Sequence, residues 1–187
     1  MKLTLPARGR NVAVAALSAV LPALLLCTAD AHARAAATGG FSAETQVAAP
    51  VANAAMAADE RTAVAPAGAP PEVAKAVAAA NRITRKPYKW GGGHGRFSDT
   101  GYDCSGTVSY VLHAAGLLKV ARASSGLMSY GKAGKGEWIS VYAHGGHAYI
   151  VIAGLRFDTS GRGEEGPRWR LEPRSGGGYT VRHPVGL

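Results

Sequence analysis

The sequence predicts an α+β domain, with helices first and an antiparallel sheet after. Three observations carry this. Apolar residues recur at helical spacing in two stretches, Val73 to Ile83 and Val108 to Leu117. From Glu137 the period falls to two, in runs rich in Trp, Ile, Val and Tyr. Helices come first and strands after, which suggests a compact α+β domain with an antiparallel sheet. Pro71 to Leu187 is about 117 residues, enough to bury one core, and holds no internal repeat.

Two segments of different character precede that domain. Lys2, Arg8 and Arg10 make a basic start. Val12 to Leu26 is apolar apart from Ser18 and is interrupted by Pro22, and Ala31-His32-Ala33 supplies small residues at cleavage-site spacing. Residues 1–33 therefore read as a cleaved export signal. The apolar run is shorter than the roughly 20 residues that a spanning helix needs. Cys27 offers lipid attachment as the weaker alternative, because Leu26 before it is bulky. Residues 34–70 are rich in alanine, with Pro50, Pro66 and Pro70 and few large apolar side chains. Such a segment buries too little surface to offset its ordering entropy and reads as a flexible linker.

In the domain, Pro70-Pro71-Glu72 opens the first helix with proline at its entry and acid in its first turn. Its apolar stripe is Val73, Ala76, Val77, Ala80 and Ile83, and Pro87 stops it. Gly91-Gly92-Gly93-His94-Gly95 follows Tyr88-Lys89-Trp90. No Gly-Lys-Ser/Thr and no buried strand accompany these glycines, so they form a turn beside a site, not a phosphate cradle. The second helix starts at Cys104 and stops at Gly116. Ala121 to Gly136 is polar and holds a short helix or a loop. Trp138 to Tyr142 reads as a strand, Ala143 to Gly146 as a turn, and His147 to Ala153 as a second strand. Gly154 turns the chain into Arg156 to Thr159. Ser160 to Pro167 is a charged, glycine-rich loop, and Tyr179 to Arg182 is a final strand.

The net charge is +9, and from Pro71 onward sixteen Lys/Arg stand against eight Asp/Glu. A basic surface suits an anionic partner. No Lys/Arg block interleaved with aromatics and no zinc-knuckle spacing occurs, so nucleic acid is not the expected partner.

Removal of the signal leaves Cys104 as the sole cysteine of an exported chain, with no internal disulfide to form. Tyr102-Asp103-Cys104-Ser105-Gly106 places it at a helix start, where unpaired N–H groups and the helix dipole favour a thiolate. A thiol nucleophile needs a base, and the base needs a third group to orient it. His113 lies nine residues along the same helix, about 13 Å away. His183 sits near the terminus beside a proline. His94, His144 and His147 remain, and His147 opens an apolar strand after two glycines. A metal held by these histidines is disfavoured, because the Gly-Gly spacer gives no helical ligand spacing.

Pro87-Tyr88-Lys89-Trp90-Gly91-Gly92, then Asp103-Cys104-Ser105-Gly106, then Gly146-His147-Ala148-Tyr149-Ile150 resemble, in that order, the NlpC family of cell-wall cysteine endopeptidases. The resemblance covers roughly Pro71 to Leu187. It implies a minimal papain-like fold, with the nucleophile at a helix start packed on an antiparallel sheet. It implies Cys104 as nucleophile, His147 as base and Tyr88 as a residue shaping the site. It also implies that Asp103 and Ser105 bind the free amino end of a stem peptide, although both suit helix capping as well. The family's third catalytic position, about twelve residues after the base, falls on Thr159. Asp158, a stronger partner for an imidazolium, is the alternative, but a regular strand would turn it to the opposite face.

The implied substrate is a peptidoglycan stem peptide, cut between D-glutamate and the diamino acid without metal or organic cofactor. The implied location is the periplasm, the cell wall or the exterior. Anionic wall polymers would hold the basic surface, and no membrane span would remain after signal cleavage. Two alternatives stand beside this: a catalytically weak or inactive wall-binding module, and a related thiol amidase or acyltransferase on another substrate.

Overall fold

A computed structural model describes residues 55–56, 61–160, 166–171 and 173–187. The expected signal segment 1–33, most of the linker 34–70 and the centre of the 160–167 loop lie outside the described residues. The order of elements is β1 (Ala55–Met56), β2 (Ala63–Val64), α1 (Pro71–Ile83), α2 (Cys104–Ala114), α3 (Ser124–Leu127), β3 (Lys132–Ala133), β4 (Ile139–His144), β5 (His147–Ile152), β6 (Leu155–Asp158), β7 (Arg168–Arg170) and β8 (Thr180–His183). Three helices therefore precede a six-stranded sheet ordered β3-β8-β4-β5-β6-β7, and every pair in it is antiparallel. This is the α+β arrangement that the change of period predicts. Among the described residues no helix is long and apolar enough to cross a membrane.

α1 has Pro71 in its first turn with Glu72, and Arg82 in its last, each suited to that end of the dipole. Its stripe of Val73, Ala76, Val77, Ala80 and Ile83 is buried. α2 is buried on more than one side, through Val108, Val111 and Leu112 and also Ser105, Thr107 and Ser109. It ends as Gly116 predicts. Gly116 takes φ +80°, its N–H donates to the His113 carbonyl, and the Leu117 N–H donates to that of Leu112.

The sheet alternates as a half-covered sheet must. Ile139, Val141, Ala143, Ala148, Ile150, Ile152, Phe157 and Trp169 join the helices in one core. Register sets Val141 opposite Ile150, Ile150 opposite Phe157, and Phe157 opposite Trp169. The other alternation carries Ser140, Tyr142, His144, His147 and Tyr149, with Tyr142 and Tyr149 stacked at 4.7 Å.

Four boundaries differ from the sequence reading. The packed chain begins before Pro71: Ala63 is buried, and the Asn81 side chain bonds both its N–H and its carbonyl, at 3.0 and 2.9 Å. Asn81 Oδ1 also accepts from Trp169 Nε1 at 2.8 Å, tying β2, α1 and β7 together. β4 runs on through His144, which pairs with His147, so the turn is Gly145-Gly146 alone. Ala153 belongs to the next turn and not to the strand: it takes φ +45° and Gly154 takes φ +81°, both positive as a type I′ turn requires. β3 and β7 are further short strands that add the two edges of the sheet.

Candidate active site

The first half of the site is the start of α2. Asp103 is its N-cap, and Oδ1 accepts the Gly106 N–H at 2.7 Å. Glycine is required at position 106, since a Cβ there would lie 1.9 Å from the Gly92 carbonyl oxygen. The Gly91–Gly93 turn thus rests directly on the helix start. Asp103 fastens it there through Oδ2, which accepts the Gly91 N–H at 3.0 Å. Asp99 secures the same turn from the other side, accepting from Gly93 N–H at 3.2 Å and from Lys89 Nζ at 2.8 Å. These charge-assisted bonds, that of Lys89 first, hold its carboxyl well below the usual range.

A cavity of about 420 Å³ opens over this corner. Cys104, Asp103 and Ser105 line it together with Tyr88, Trp90, His94, Ser124 and the Gly145-Gly146 turn. Cys104 is partly exposed and unpaired, and its Sγ lies 3.7 Å from Ser124 Oγ at the start of α3. Tyr88 is held near by a parallel bridge with Tyr102.

The second half comes from the sheet. His147 stands at the first position of β5 and meets the Cys104 thiol, which also meets the Ala148 N–H. His147 Nε2 lies 2.9 Å from Asp158 Oδ1, which leaves Nδ1 as the ring nitrogen available to the thiol. Asp158 is 1% exposed. Its Oδ1 also accepts from Ser160 N–H at 3.0 Å and Ser160 Oγ at 3.1 Å, and its Oδ2 lies 3.2 Å from Arg174 Nη1 and 3.8 Å from Arg156 Nε.

The electrostatics follow from these contacts. Burial disfavours charge on His147, but hydrogen bonds to Asp158 and Cys104 and their Coulombic attraction outweigh it, pushing the imidazole up to about 9. Burial likewise raises the Cys104 thiol, yet hydrogen bonds from His147, Ser124 and the Ala148 N–H win, and the net shift is downward. Asp158 too is lowered: burial opposes its charge, but the His147 bond and attraction prevail. Both directions favour charge transfer from the thiol to the imidazole: the thiol is lowered and the histidine raised.

The structure brings together Cys104, His147, Tyr88, Asp103 and Ser105, and it replaces the third expected residue. His147 is bonded to Asp158 and not to Thr159. The reason is register. The Ala153-Gly154 turn has two residues, so Ile150 pairs with Phe157, and continuing the ladder sets Asp158 opposite Tyr149 and Thr159 opposite Ala148. Asp158 therefore shares the face of His147 and Tyr149, while Thr159 is buried at the end of the core face. A count of twelve residues carries no information about that turn.

Asp103 and Ser105 also do more than the sequence suggests. Besides its two backbone donors, Asp103 Oδ1 takes Ser105 Oγ at 3.2 Å and lies 3.1 Å from His94 Nε2, which is 3.1 Å from Ser105 Oγ as well. Three of the contacts of Asp103 thus fall on Oδ1 and one on Oδ2. Asp103, Ser105 and His94 all line the cavity, and the His94 side chain, 27% exposed against 12% for Asp103, is the more open of that pair.

His144 and His113 stay apart from the thiol. His144 Nδ1 accepts the Gly146 N–H at 3.0 Å, and His113 Nδ1 meets the Leu118 carbonyl at 2.9 Å. Ser124, Ser160 and Arg174 escaped the sequence reading. They lie in polar or glycine-rich stretches without periodicity, and only tertiary contact distinguishes them from their neighbours.

No family model matches the chain, and no curated protein matches it. Among solved structures the chain is similar to a mutated form of the Resuscitation Promoting Factor Interacting protein RipA, at 21% identity over 59% of this chain and 61% of that one, with a TM-score of 0.46. It is also similar to an NlpC/P60 family protein from Bacillus cereus, at 18% identity over 67% of this chain and 43% of that one, with a TM-score of 0.47. The chain thus spans less than two thirds of the length of either.

Proposed function

We propose that the chain is an exported peptidoglycan hydrolase, a cysteine endopeptidase that cuts stem peptides, at the bond between D-glutamate and the diamino acid. The observation that carries the reading is the Cys104–His147–Asp158 arrangement at the head of α2, at the edge of a cavity. The three motifs that resemble NlpC endopeptidases supply the substrate class. In this account Cys104 Sγ attacks the amide carbonyl carbon and the C–S bond forms. The Cys104 N–H, in the first turn of α2, has no intrahelical acceptor and serves the developing oxyanion, whereas that of Gly106 is held by Asp103. His147 gives its proton to the leaving nitrogen as the C–N bond breaks. Water then enters, His147 takes its proton, and the C–S bond breaks to release the acid. Asp158 stays ionised throughout and keeps His147 in one orientation.

A decayed, purely wall-binding module is less well supported. Such a module has no use for a buried carboxylate aligned on the histidine that meets the thiol. Incubating purified peptidoglycan with the wild-type chain and with Cys104→Ala, followed by mass analysis of the soluble fragments, tests the reading. New amino and carboxyl ends at the D-glutamyl bond are expected with the wild type alone. Equal release by both would overturn it, and release at another bond would move the chain to a different thiol amidase activity.

A further inference from the structure

We propose that Arg174 is a positioning residue of this site: by holding Oδ2 of Asp158 it fixes the carboxylate whose other oxygen orients His147. The inference rests on the reading of Cys104, His147 and Asp158 as the reacting group. Arg174 follows Pro173 and precedes Ser175-Gly176-Gly177-Gly178, in the segment that joins β7 to β8. This segment lies over the sheet face opposite the core, and a Cβ at Gly176 would stand 3.3 Å from the Tyr142 ring. The Arg174 guanidinium sits 5.7 Å from the Tyr149 ring centroid and 5.6 Å from that of Tyr179. Both rings flank His147, each with its centroid at 6.5 Å. From there Nη1 reaches Asp158 Oδ2 at 3.2 Å and also bonds Ser160 Oγ. Ser160 Oγ in turn lies 3.3 Å from His147 Nε2.

Among the described residues, the buried carboxylate thus has His147 on Oδ1 and Arg174 on Oδ2 as its two nearest cationic partners. Its orientation toward His147 is defined by what grips the far side, and Arg156 Nε at 3.8 Å is a poorer grip than Arg174. The two cations also share one negative charge, so Arg174 tempers how tightly His147 holds its proton. The other charged and titratable groups around the pair are Cys104 from α2, His144 from β4, Tyr149 from β5, Arg156 from β6, Arg168 opposite Asp158 on β7, and Tyr179 ahead of β8. Replacing Arg174 leaves all of these in place.

The experiment compares wild type, Arg174→Met and Arg174→Lys in the full chain. It measures kcat and KM on stem peptides, and the pH titration of the His147 ring by NMR. Arg174→Met is expected to lower kcat roughly tenfold, the worth of a charged hydrogen bond, with KM within about twofold. Its His147 midpoint is expected to rise above the wild-type value, because a competing cation is gone. Arg174→Lys keeps the charge, so its midpoint should stay with the wild type and most of kcat should return. An unchanged kcat and an unchanged His147 titration in Arg174→Met would overturn the proposal, as would a loss confined to KM. If the wild type cleaves no stem peptide, the proposed function falls, but the titration still decides whether Arg174 acts on His147 through Asp158. Lost folding in Arg174→Met leaves Arg174→Lys to decide, with an altered midpoint there counting against the proposal.

Discussion

Two histidine–aspartate pairs flank Cys104, at 2.9 Å for His147–Asp158 and 3.1 Å for His94–Asp103. They look alike as contacts and differ in what else claims the carboxylate. Asp103 holds the Gly91 and Gly106 backbone N–H groups and Ser105, so its charge is spent on joining a turn to a helix start. Asp158 is a buried residue on a strand, held from behind by side chains, and its Oδ1 serves the histidine that meets the thiol. The histidine in that pair is pushed up to about 9. Only the His147–Asp158 pair meets the Cys104 thiol, and the contacts of Asp103 fasten the turn to the helix start on which that thiol stands.

Replacement of each carboxylate separates these roles. Asp158→Asn removes the charge that stabilises the imidazolium and is expected to lower kcat by about 100-fold or more, with little change in the wild-type fold by circular dichroism. Its alkaline limit should also move. In the wild type, activity is expected to fall as pH rises through about 9, where His147 loses its proton. In Asp158→Asn that fall should come at lower pH, because the partner that raised the histidine is gone. Equal limbs in the two pH–rate profiles would contradict the assignment.

Asp103→Ala is expected to act mainly on stability, by about 1–2 kcal/mol for a lost N-cap, read as a lower melting temperature. Cleavage at a temperature where both chains are folded should fall less than in Asp158→Asn. The reverse ranking would mean that the two pairs have been assigned the wrong way round. Thr159→Val gives the smallest effect. Thr159 is buried beside Asp158 but does not meet His147, so kcat is expected to stay within about threefold of the wild type. A loss as large as that of Asp158→Asn would restore Thr159 as the orienting residue.

The pH dependence of stability has a sign fixed by the same pair. His147 is raised from 6.5 to about 9, so its contribution is complete below 6.5 and is lost as pH rises through about 9. Asp158 is lowered from 3.8, so its contribution is present above 3.8 and is lost as pH falls below it. The urea midpoint of the wild type is expected to decline on both sides of that window, and the decline should be shallower in Asp158→Asn.

Much of this was legible in the chain. The stripe from Val73 to Ile83, the Gly116 stop and the alternation in β4 and β5 are local signals, and each gives its element. Cys104 and His147 were legible because a helix start and a strand start are themselves written in sequence pattern. Asp158 was legible only as the alternative to Thr159, because a count of twelve residues fixes no turn length and a period of two turns a one-residue difference in that length into a change of face. β7 was hidden because Arg168-Trp169-Arg170 is three residues long and follows a charged loop. β2 was hidden because Ala63 and its neighbours resemble the alanine-rich stretch around them, and the buried contact that distinguishes it is made by Asn81, eighteen residues away. Arg174 carries no local mark at all, because its meaning depends on the carboxylate it reaches.

The central claim is that Cys104 ionises more readily than an ordinary thiol because it is paired with His147. The most direct measurement is the rate of Cys104 alkylation by iodoacetamide against pH, in the wild type and in His147→Ala. The account predicts that the wild-type rate rises to a plateau below the pH at which an ordinary thiol ionises, about 8.5, and that His147→Ala reacts more slowly at neutral pH, with its rise displaced upward. Superimposed profiles, or a wild-type thiol that titrates as an ordinary cysteine, would contradict it.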